Sequence, residues 1–402
     1  MMVMANQEVE ERRELDADGR DSGLEFEQTK SESPEIQEPY DPKLIDVTTE
    51  TRSLDVLIKR IEAGHIDLDP NFQRSRGIWT PTKKSLLIES LLLRIPLPTF
   101  YVAEIEAADE DEFGGSRWAV VDGIQRLSTI VEFVKPTALD LEPLRLSGLQ
   151  YLDSENDKTF EDLSTSLQLR LLESQFTMQV IRISTPELVQ LNIFARINTG
   201  GVPLSAQELR HALIPGKARD VLAELASSDA FQAAVSGSVS PSRMGDREMA
   251  LRFLAFRMSD PEKHQESDFD EFLRAAMRSI NDWTDSDHQR HVDEFSASMI
   301  AASAIFGDDA FRKRYSKNDA RKPISKALFE AIAVGLAETR ERRGDEGISN
   351  LVQRSNEVKR SFMKLMKNRS FERSISQGTG DPVRVRERFK QTREMLEAVL
   401  DD

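Results

Sequence analysis

Five consecutive residues, Asp122-Gly123-Ile124-Gln125-Arg126, combine the groups that phosphate chemistry uses. An apolar strand, Trp118 to Val121, runs into Asp-Gly and then straight into an apolar helical repeat of Leu127, Ile130, Val131 and Val134. Glycine permits a tight strand-to-helix turn and close approach of a ligand to the backbone. The first turn of the helix has free N–H groups and a partial positive charge, which suit a phosphate. Arg126 would add a fork of donors, Gln125 a neutral amide, and Asp122 a carboxylate for Mg²⁺ or a water. The competing reading of the same residues is a helix cap made by Asp122.

Length and composition bound what surrounds this turn. The chain has 402 residues, 39% of them apolar, which is enough for two or more domains with their own cores. It has no cysteine, so thiolate chemistry and disulfides are excluded, in keeping with a reducing, cytoplasmic setting. No apolar run is long enough for a membrane span. The formal charge of −16 is unevenly placed. Residues 1–46 hold 14 acidic and 5 basic residues and few aromatics, and are expected to be a disordered tail whose removal leaves folding intact. Residues 310–326 carry 7 basic residues and 1 acid, and residues 354–373 carry 7 and 2.

The elements follow from periodicity. Leu54, Leu57, Ile58 and Ile61 after Ser53 predict a helix ending at Gly64, and Pro81 opens another with Leu86, Leu87, Leu91 and Leu92. Short strands are expected at 66–68, 100–105, around Trp118 and at 176–183, with a hairpin-like loop at 108–116. A helix is expected from Pro186 to about Asn198. Beyond 205 the spacing is helical throughout, including a last helix from Val383 to Leu400. The expected class is therefore α+β: a small N-terminal domain, 47–204, followed by a larger all-helical domain, 205–402.

The chain resembles the domain-of-unknown-function 262 family of the ParB/sulfiredoxin-like superfamily, which includes the N-terminal part of GmrSD-type restriction enzymes. Three blocks carry the resemblance, in order: Phe72-Gln73-Arg74, Asp122-Gly123-Ile124-Gln125-Arg126 and Phe194-Ala195-Arg196-Ile197-Asn198-Thr199-Gly200-Gly201. The family pattern at the second block is D-G-Q-Q-R, and Ile124 departs from it. Trp79, Ile95-Pro96-Leu97-Pro98 and Pro203-Leu204-Ser205 are matching flanks. The resemblance implies a ParB-like fold in the N-terminal domain. It also implies binding and Mg²⁺-dependent hydrolysis of a nucleoside triphosphate within a bacterial DNA restriction or phage-defence system. Asp122 and Arg126 would be catalytic, with Asp122 the metal ligand. Arg74, Gly123, Gln125, Arg126, Arg196, Asn198, Gly200 and Gly201 would hold phosphate. Many relatives carry an HNH nuclease domain, whose histidine pattern is missing here, so cutting would need a separate nuclease or defence-system subunit.

The alternative function is a non-catalytic nucleotide- or DNA-binding regulator read by a partner protein, and Ile124 favours it. For the basic stretches, Arg312, Lys313, Arg314, Arg321 and Lys322 are the candidate contacts to DNA phosphates, against the alternative of solvated surface. Among the histidines, His288 and His291 have metal-ligand spacing but no third ligand nearby, which favours an ordinary helix surface.

Overall fold

The computed structural model describes residues 13–16, 19–27, 44–68, 79–105, 117–197 and 205–401. The protein is α+β, as its sequence predicts, and its described strands and helices divide between two units. One unit is Ile36–Leu213; the other joins Met1–Glu35 to Ile214–Asp402. Strands β1 (Arg13–Leu15) and β2 (Asp21–Glu25) thus belong with the C-terminal helices.

The first unit is built on a five-stranded mixed sheet. Its strands are β3 (Val47–Ser53), β4 (Ile66–Asp67), β5 (Phe100–Ile105), β6 (Arg117–Asp122) and β7 (Gln175–Ile181), in the order β3-β7-β5-β6-β4. Pairing is antiparallel in β3–β7 and β5–β6, and parallel in β7–β5 and β6–β4. Four successive buried residues, Trp118 to Val121, mark β6 as an interior strand covered on both faces. Helix α1 (Leu54–Glu62) buries Leu54, Leu57, Ile58 and Ile61, the stripe its spacing predicts, and Gly64 follows with φ of 73°. Helix α2 (Pro81–Leu92) starts on Thr80, whose hydroxyl accepts from the Lys83 N–H at 3.3 Å. Helix α3 (Ile124–Val134) follows β6 after one glycine. Lys84 of α2 bonds Glu132 of α3 at 2.6 Å, tying the two helices together. After α4 (Thr165–Leu172), α5 (Glu187–Ile197) and α6 (Ala206–Leu213) bring Phe194, Leu209 and Leu213 onto Ala103, Val121 and Ile181 of the sheet. The boundary therefore falls after α6, later than the break expected at 205, because α6 completes the core around Val121.

Strand β3 has no counterpart among the expected elements. Its sequence, Val-Thr-Thr-Glu-Thr-Arg-Ser, lacks an apolar alternation because it lies at a sheet edge, paired residue by residue from Val47↔Ile181 to Ser53↔Gln175. Polar cross-strand bonds serve it instead, such as Thr49 Oγ1 to Gln179 Oε1 at 3.0 Å. The hairpin-like loop expected at 108–116 lies outside the described residues.

The second unit is helical: α7 (Lys217–Ser227), α8 (Asp229–Ala234), α9 (Gly245–Arg257), α10 (Phe269–Asn281), α11 (Asp285–Phe306), α12 (Lys326–Gln353), α13 (Ser355–Leu365), α14 (Arg369–Ser376) and α15 (Pro382–Asp401). The first part of α12, Lys326 to Ala337, is buried on all sides, so it runs through the centre. Phe231, Phe253, Phe295, Phe311 and Phe329 fill the core around it in edge and stacked contacts.

The acidic N-terminal segment corrects the expectation of a disordered, dispensable tail at residues 13–16 and 19–27. Backbone bonds join Glu25 N–H to Ile324 O at 2.8 Å, Ile324 N–H to Gly23 O at 2.9 Å, and Ser240 N–H to Ser22 O at 2.9 Å. Leu24 is buried, and a Cβ at Gly23 would fall 1.6 Å from the Ser238 carbonyl oxygen. Glu27 bonds Arg252 at 2.5 and 3.1 Å, and Arg252 is also held by Glu248 at 2.7 Å and Glu330 at 3.4 Å. Arg388 closes the cluster on Glu330, and Lys326 bonds Glu14 at 2.8 Å. The tail's carboxylates are thus partners for buried cations, and its composition hid this because the cations lie some 200–300 residues away in sequence.

Removing residues 1–27 strips Arg252 and Lys326 of partners while they remain buried. Thermal or denaturant unfolding is expected to show a loss of about 3–5 kcal/mol. Gly23→Ala alone should also lower Tm, and a truncated chain melting like the full one would rule the strap out. A second prediction concerns Glu89, buried in α2, whose carboxylate accepts from the N–H groups of Gln150, Tyr151 and Leu152 at 3.1, 2.7 and 2.9 Å. Burial raises its pKa, but the three donors outweigh it and hold the group below its ordinary value. A depressed carboxylate stabilises the fold above its unfolded pKa and loses that contribution as pH falls through the folded one. Glu89→Gln should therefore flatten the stability–pH curve below about pH 4, read by chemical unfolding across pH.

Candidate functional site

The strand–turn–helix junction forms as the sequence predicts. Asp122 ends β6, Gly123 adopts φ of 92°, and Ile124 begins α3. Only glycine fits this turn: a Cβ at 123 would stand 2.6 Å from Phe100 Cδ1 and 2.9 Å from Arg126 Nη2. No side chain caps the helix. The first intrahelical bond is Leu127 N–H to Gly123 O at 2.9 Å, so the N–H groups of Ile124, Gln125 and Arg126 have no acceptor among the described residues. Asp122 does not cap; its Oδ2 accepts from Arg126 at 2.9 Å, and its side chain is 37% exposed. Beside it, Gln125 Nε2 is buried with no hydrogen-bond partner among the described residues, a group that calls for an acceptor.

Arg126 departs from the expected role. Its Nη1 donates to Pro98 O, its Nη2 to Thr99 O at 3.3 Å and to Asp122, and its guanidinium lies 4.6 Å above the Phe100 ring. Phe100 in turn meets Phe176 edge-on at 5.6 Å. Burial pulls the Arg126 pKa below its ordinary value while Asp122 pulls it up. The guanidinium therefore spends its fork on protein acceptors and braces the segment before β5 against the turn. Sequence reasoning missed these acceptors, since backbone carbonyls carry no residue signature. The one signal was the Ile95-Pro96-Leu97-Pro98 run, whose last residue supplies one of them.

Ile124 is buried, so the departure from the family pattern is an apolar contact with the interior. Arg196, at the end of α5, is exposed, while its neighbour Phe194 is fully buried against Val121, one residue before Asp122. That packing brings the first residue of the third motif onto the strand that carries the second. Arg74, Asn198, Gly200 and Gly201 lie outside the described residues. Trp79 carries Lys83 over its ring at 4.4 Å. Glu208 forms a capping box with Ser205, and Arg210 Nε donates to Gln207 Oε1 at 2.9 Å.

Asp122 is the residue of the turn that would hold a metal. Asp122 offers one carboxylate, half engaged by Arg126, and no group of three metal-ligating side chains occurs among the described residues. His288 bonds Glu224 at 2.8 Å and His291 stacks on Trp283 at 4.6 Å, so that pair serves the fold.

The basic stretch of the helical unit is also corrected. Arg312 and Lys313 are buried, Arg312 bonding Lys322 O, Asp308 O and Ser238 Oγ, and Lys313 bonding Glu25 and Ser376 Oγ. Burial, with Arg321 nearby, brings the Arg312 pKa down to about 10. Arg314 is half-buried on Asp309, Lys322 lies over the Tyr315 ring, and Arg321 is exposed. The five residues expected on DNA therefore do not share one open face, because two of them satisfy buried carboxylate and carbonyl groups.

The sheet unit is an α+β domain with a strand–glycine–helix turn at Asp122, Gly123 and Ile124. Residues 54–215 match the family model of the GmrSD restriction endonuclease, N-terminal domain, about two fifths of the chain. Over this stretch, from the first residue of α1 to just past α6, the chain is similar to that domain. No HNH domain is found in the 402 residues. No curated protein and no solved structure matches the chain. Among the described residues, no helix is long and apolar enough to cross a membrane.

If Arg126 is a brace, Arg126→Ala should destabilise the fold by about 2–3 kcal/mol, since three acceptors lose a charge-assisted donor. Gln125→Ala should leave Tm within a degree or so, as its amide nitrogen has no partner to lose. Equal melting of Arg126→Ala and the parent protein would return Arg126 to the list of free ligand groups.

Proposed function

We propose that residues 54–215 bind the phosphates of a nucleoside triphosphate at the first turn of α3, as one component of a bacterial DNA restriction or phage-defence system. The observation that carries this reading is the open turn: three unpaired N–H groups behind a glycine that admits no side chain, with the unpartnered amide of Gln125 beside them. The match to the GmrSD restriction endonuclease N-terminal domain supplies the defence context. Gly123 and Gln125 receive the phosphate oxygens. Arg74, Arg196, Asn198, Gly200 and Gly201 complete the phosphate wall, and Arg126 fixes the turn's shape from behind. Asp122 Oδ1, not engaged by Arg126, orients a water toward the terminal phosphorus, and the products are nucleoside diphosphate and phosphate. Any Mg²⁺ arrives on the nucleotide, because the turn offers it no preformed cage.

A second reading, binding without turnover and signalling to a partner subunit, is favoured by one specific observation. The arginine expected to be catalytic and to cradle phosphate, Arg126, is committed to Pro98, Thr99 and Asp122. Calorimetric titration with ATP, GTP and CTP, beside a phosphate-release assay, separates the two. Hydrolysis predicts that Asp122→Ala keeps binding within a few-fold and loses turnover by about a hundredfold or more. Pure signalling predicts binding with no release in the parent protein. Absence of binding by any of the three nucleotides at low salt would remove both readings.

A further inference from the structure

The two basic stretches singled out in the sequence, 310–326 and 354–373, meet in space within the helical unit. Both line one cavity of about 790 Å³, within the range of small-molecule sites. Five cations border it, Arg314, Lys317, Arg354, Lys359 and Arg360, against two carboxylates, Asp309 and Glu357. Each carboxylate is already paired, Asp309 with Arg314 at 3.1 Å and Glu357 with Arg354 at 2.6 Å. Among the described residues, Lys317, Lys359 and Arg360 are left with no acidic or hydrogen-bonding side-chain partner. In a chain of formal charge −16, three uncompensated cations around one hollow are a concentrated positive field.

The wall that carries Lys317 is fixed before any ligand arrives. Asp319 accepts from Tyr315 N–H at 2.6 Å, Ser316 N–H at 3.0 Å and Ser316 Oγ at 2.5 Å, and these donors hold its carboxyl at about 2. Arg314 ties the same loop by donating to the Asp319 and Lys317 carbonyls. On the other stretch, α13 starts without a side-chain cap, and Asn356 in its first turn lines the cavity. The N–H groups of Ser355 and Asn356 have no acceptor among the described residues. Phe306 and Phe362, edge-on at 5.5 Å, and Met363 add an apolar wall, while Gln353 and Asn356 add exposed amides.

We propose that this cavity is an anion site for a small oligophosphate ligand of the nucleoside di- or triphosphate class, separate from the turn at Gly123. Lys317, Lys359 and Arg360 take the phosphates, the α13 N-terminus adds N–H donors, and the Phe306–Phe362–Met363 wall takes the ring. A nucleic-acid duplex is the less suitable occupant, since its backbone needs a row of exposed cations and Arg312 and Lys313 are buried.

The test uses the full chain with Gln125→Glu, which places a negative charge at the first-turn site and silences it. ATP and inorganic tripolyphosphate are titrated into this protein, and into the same protein carrying Lys359→Ala and Arg360→Ala. Both ligands should bind the first protein, and the added pair should weaken them at least about tenfold without lowering Tm. ATP binding tighter than tripolyphosphate identifies a nucleotide, and equal binding identifies the phosphate chain as the whole ligand; either supports the site. Overturning results are no binding of either compound at low salt, binding unaffected by the added pair, or binding of a short duplex alone. Failure of the first-turn site shows separately, as equal ATP binding by parent and Gln125→Glu proteins with the cavity variants still weakened.

Discussion

The guanidinium of Arg126 decides what the β6–α3 turn can be. It joins three parts of the chain that no regular element connects: the Pro98–Thr99 carbonyls before β5, the carboxylate that ends β6, and the first turn of α3. Lying on Phe100, it also shuts the space a side chain at 123 would occupy. Glycine is thus required twice, by its φ and by the cation above it. An arginine placed so is more costly to free than a surface one, because three acceptors would be left without their donor. Among the described residues of the turn, the groups left unengaged are main-chain N–H groups, one amide and one carboxylate oxygen. Such a set suits binding by dipoles more than attack assisted by a strong cation.

The helical unit is organised by buried charge in a different way. Arg252, Arg388 and Lys326 are enclosed, and four glutamates, two of them from the N-terminal segment, neutralise them. Glu330 sits between both arginines, yet burial and its neighbour Glu27 still push its pKa up. A cluster of this kind adds little net stability over an apolar core but penalises any arrangement in which one member is missing. That penalty gives an acidic segment, poor in apolar residues, a defined seat at β1 and β2. It also means that three of the fourteen acids in residues 1–46 that looked like a solvating tail, Glu14, Glu25 and Glu27, are spent internally.

What was legible in the sequence follows the same physics. The helices α1, α2 and α3 and the strands β5 and β6 were readable because each buries an apolar face with its own period. The turn at Gly123 was readable because a strand pattern meets a helix pattern across one glycine. Strand β3 and the strap β1–β2 were not, since ladder bonds and ion pairs hold them, and these leave no local pattern. For Arg126 the motif gave the position and not the role: its identity suits phosphate and carbonyl equally, and only the fold brings Pro98 and Thr99 within reach. Lys313 and Arg312 repeat the lesson, as a basic run reads as surface until partners distant in sequence are found for it.

Net charge, then, is a poor guide to this protein's partners. The total of −16 counts carboxylates that are consumed inside the helical unit as though they faced solvent, and it counts buried arginines as though they could meet a ligand. Once the internal pairs are set aside, the cations that remain free to act at the cavity are Lys317, Lys359 and Arg360, joined from two stretches by the fold. The sheet unit differs, for at its turn the described arginine of the motif, Arg126, is bonded to protein acceptors. Both places would bind phosphate with groups that are fixed before the ligand comes, main-chain N–H groups in one and a pinned loop in the other. Preorganised donors of this sort lose little freedom on binding, so even a few of them suffice to hold a multiply charged ligand.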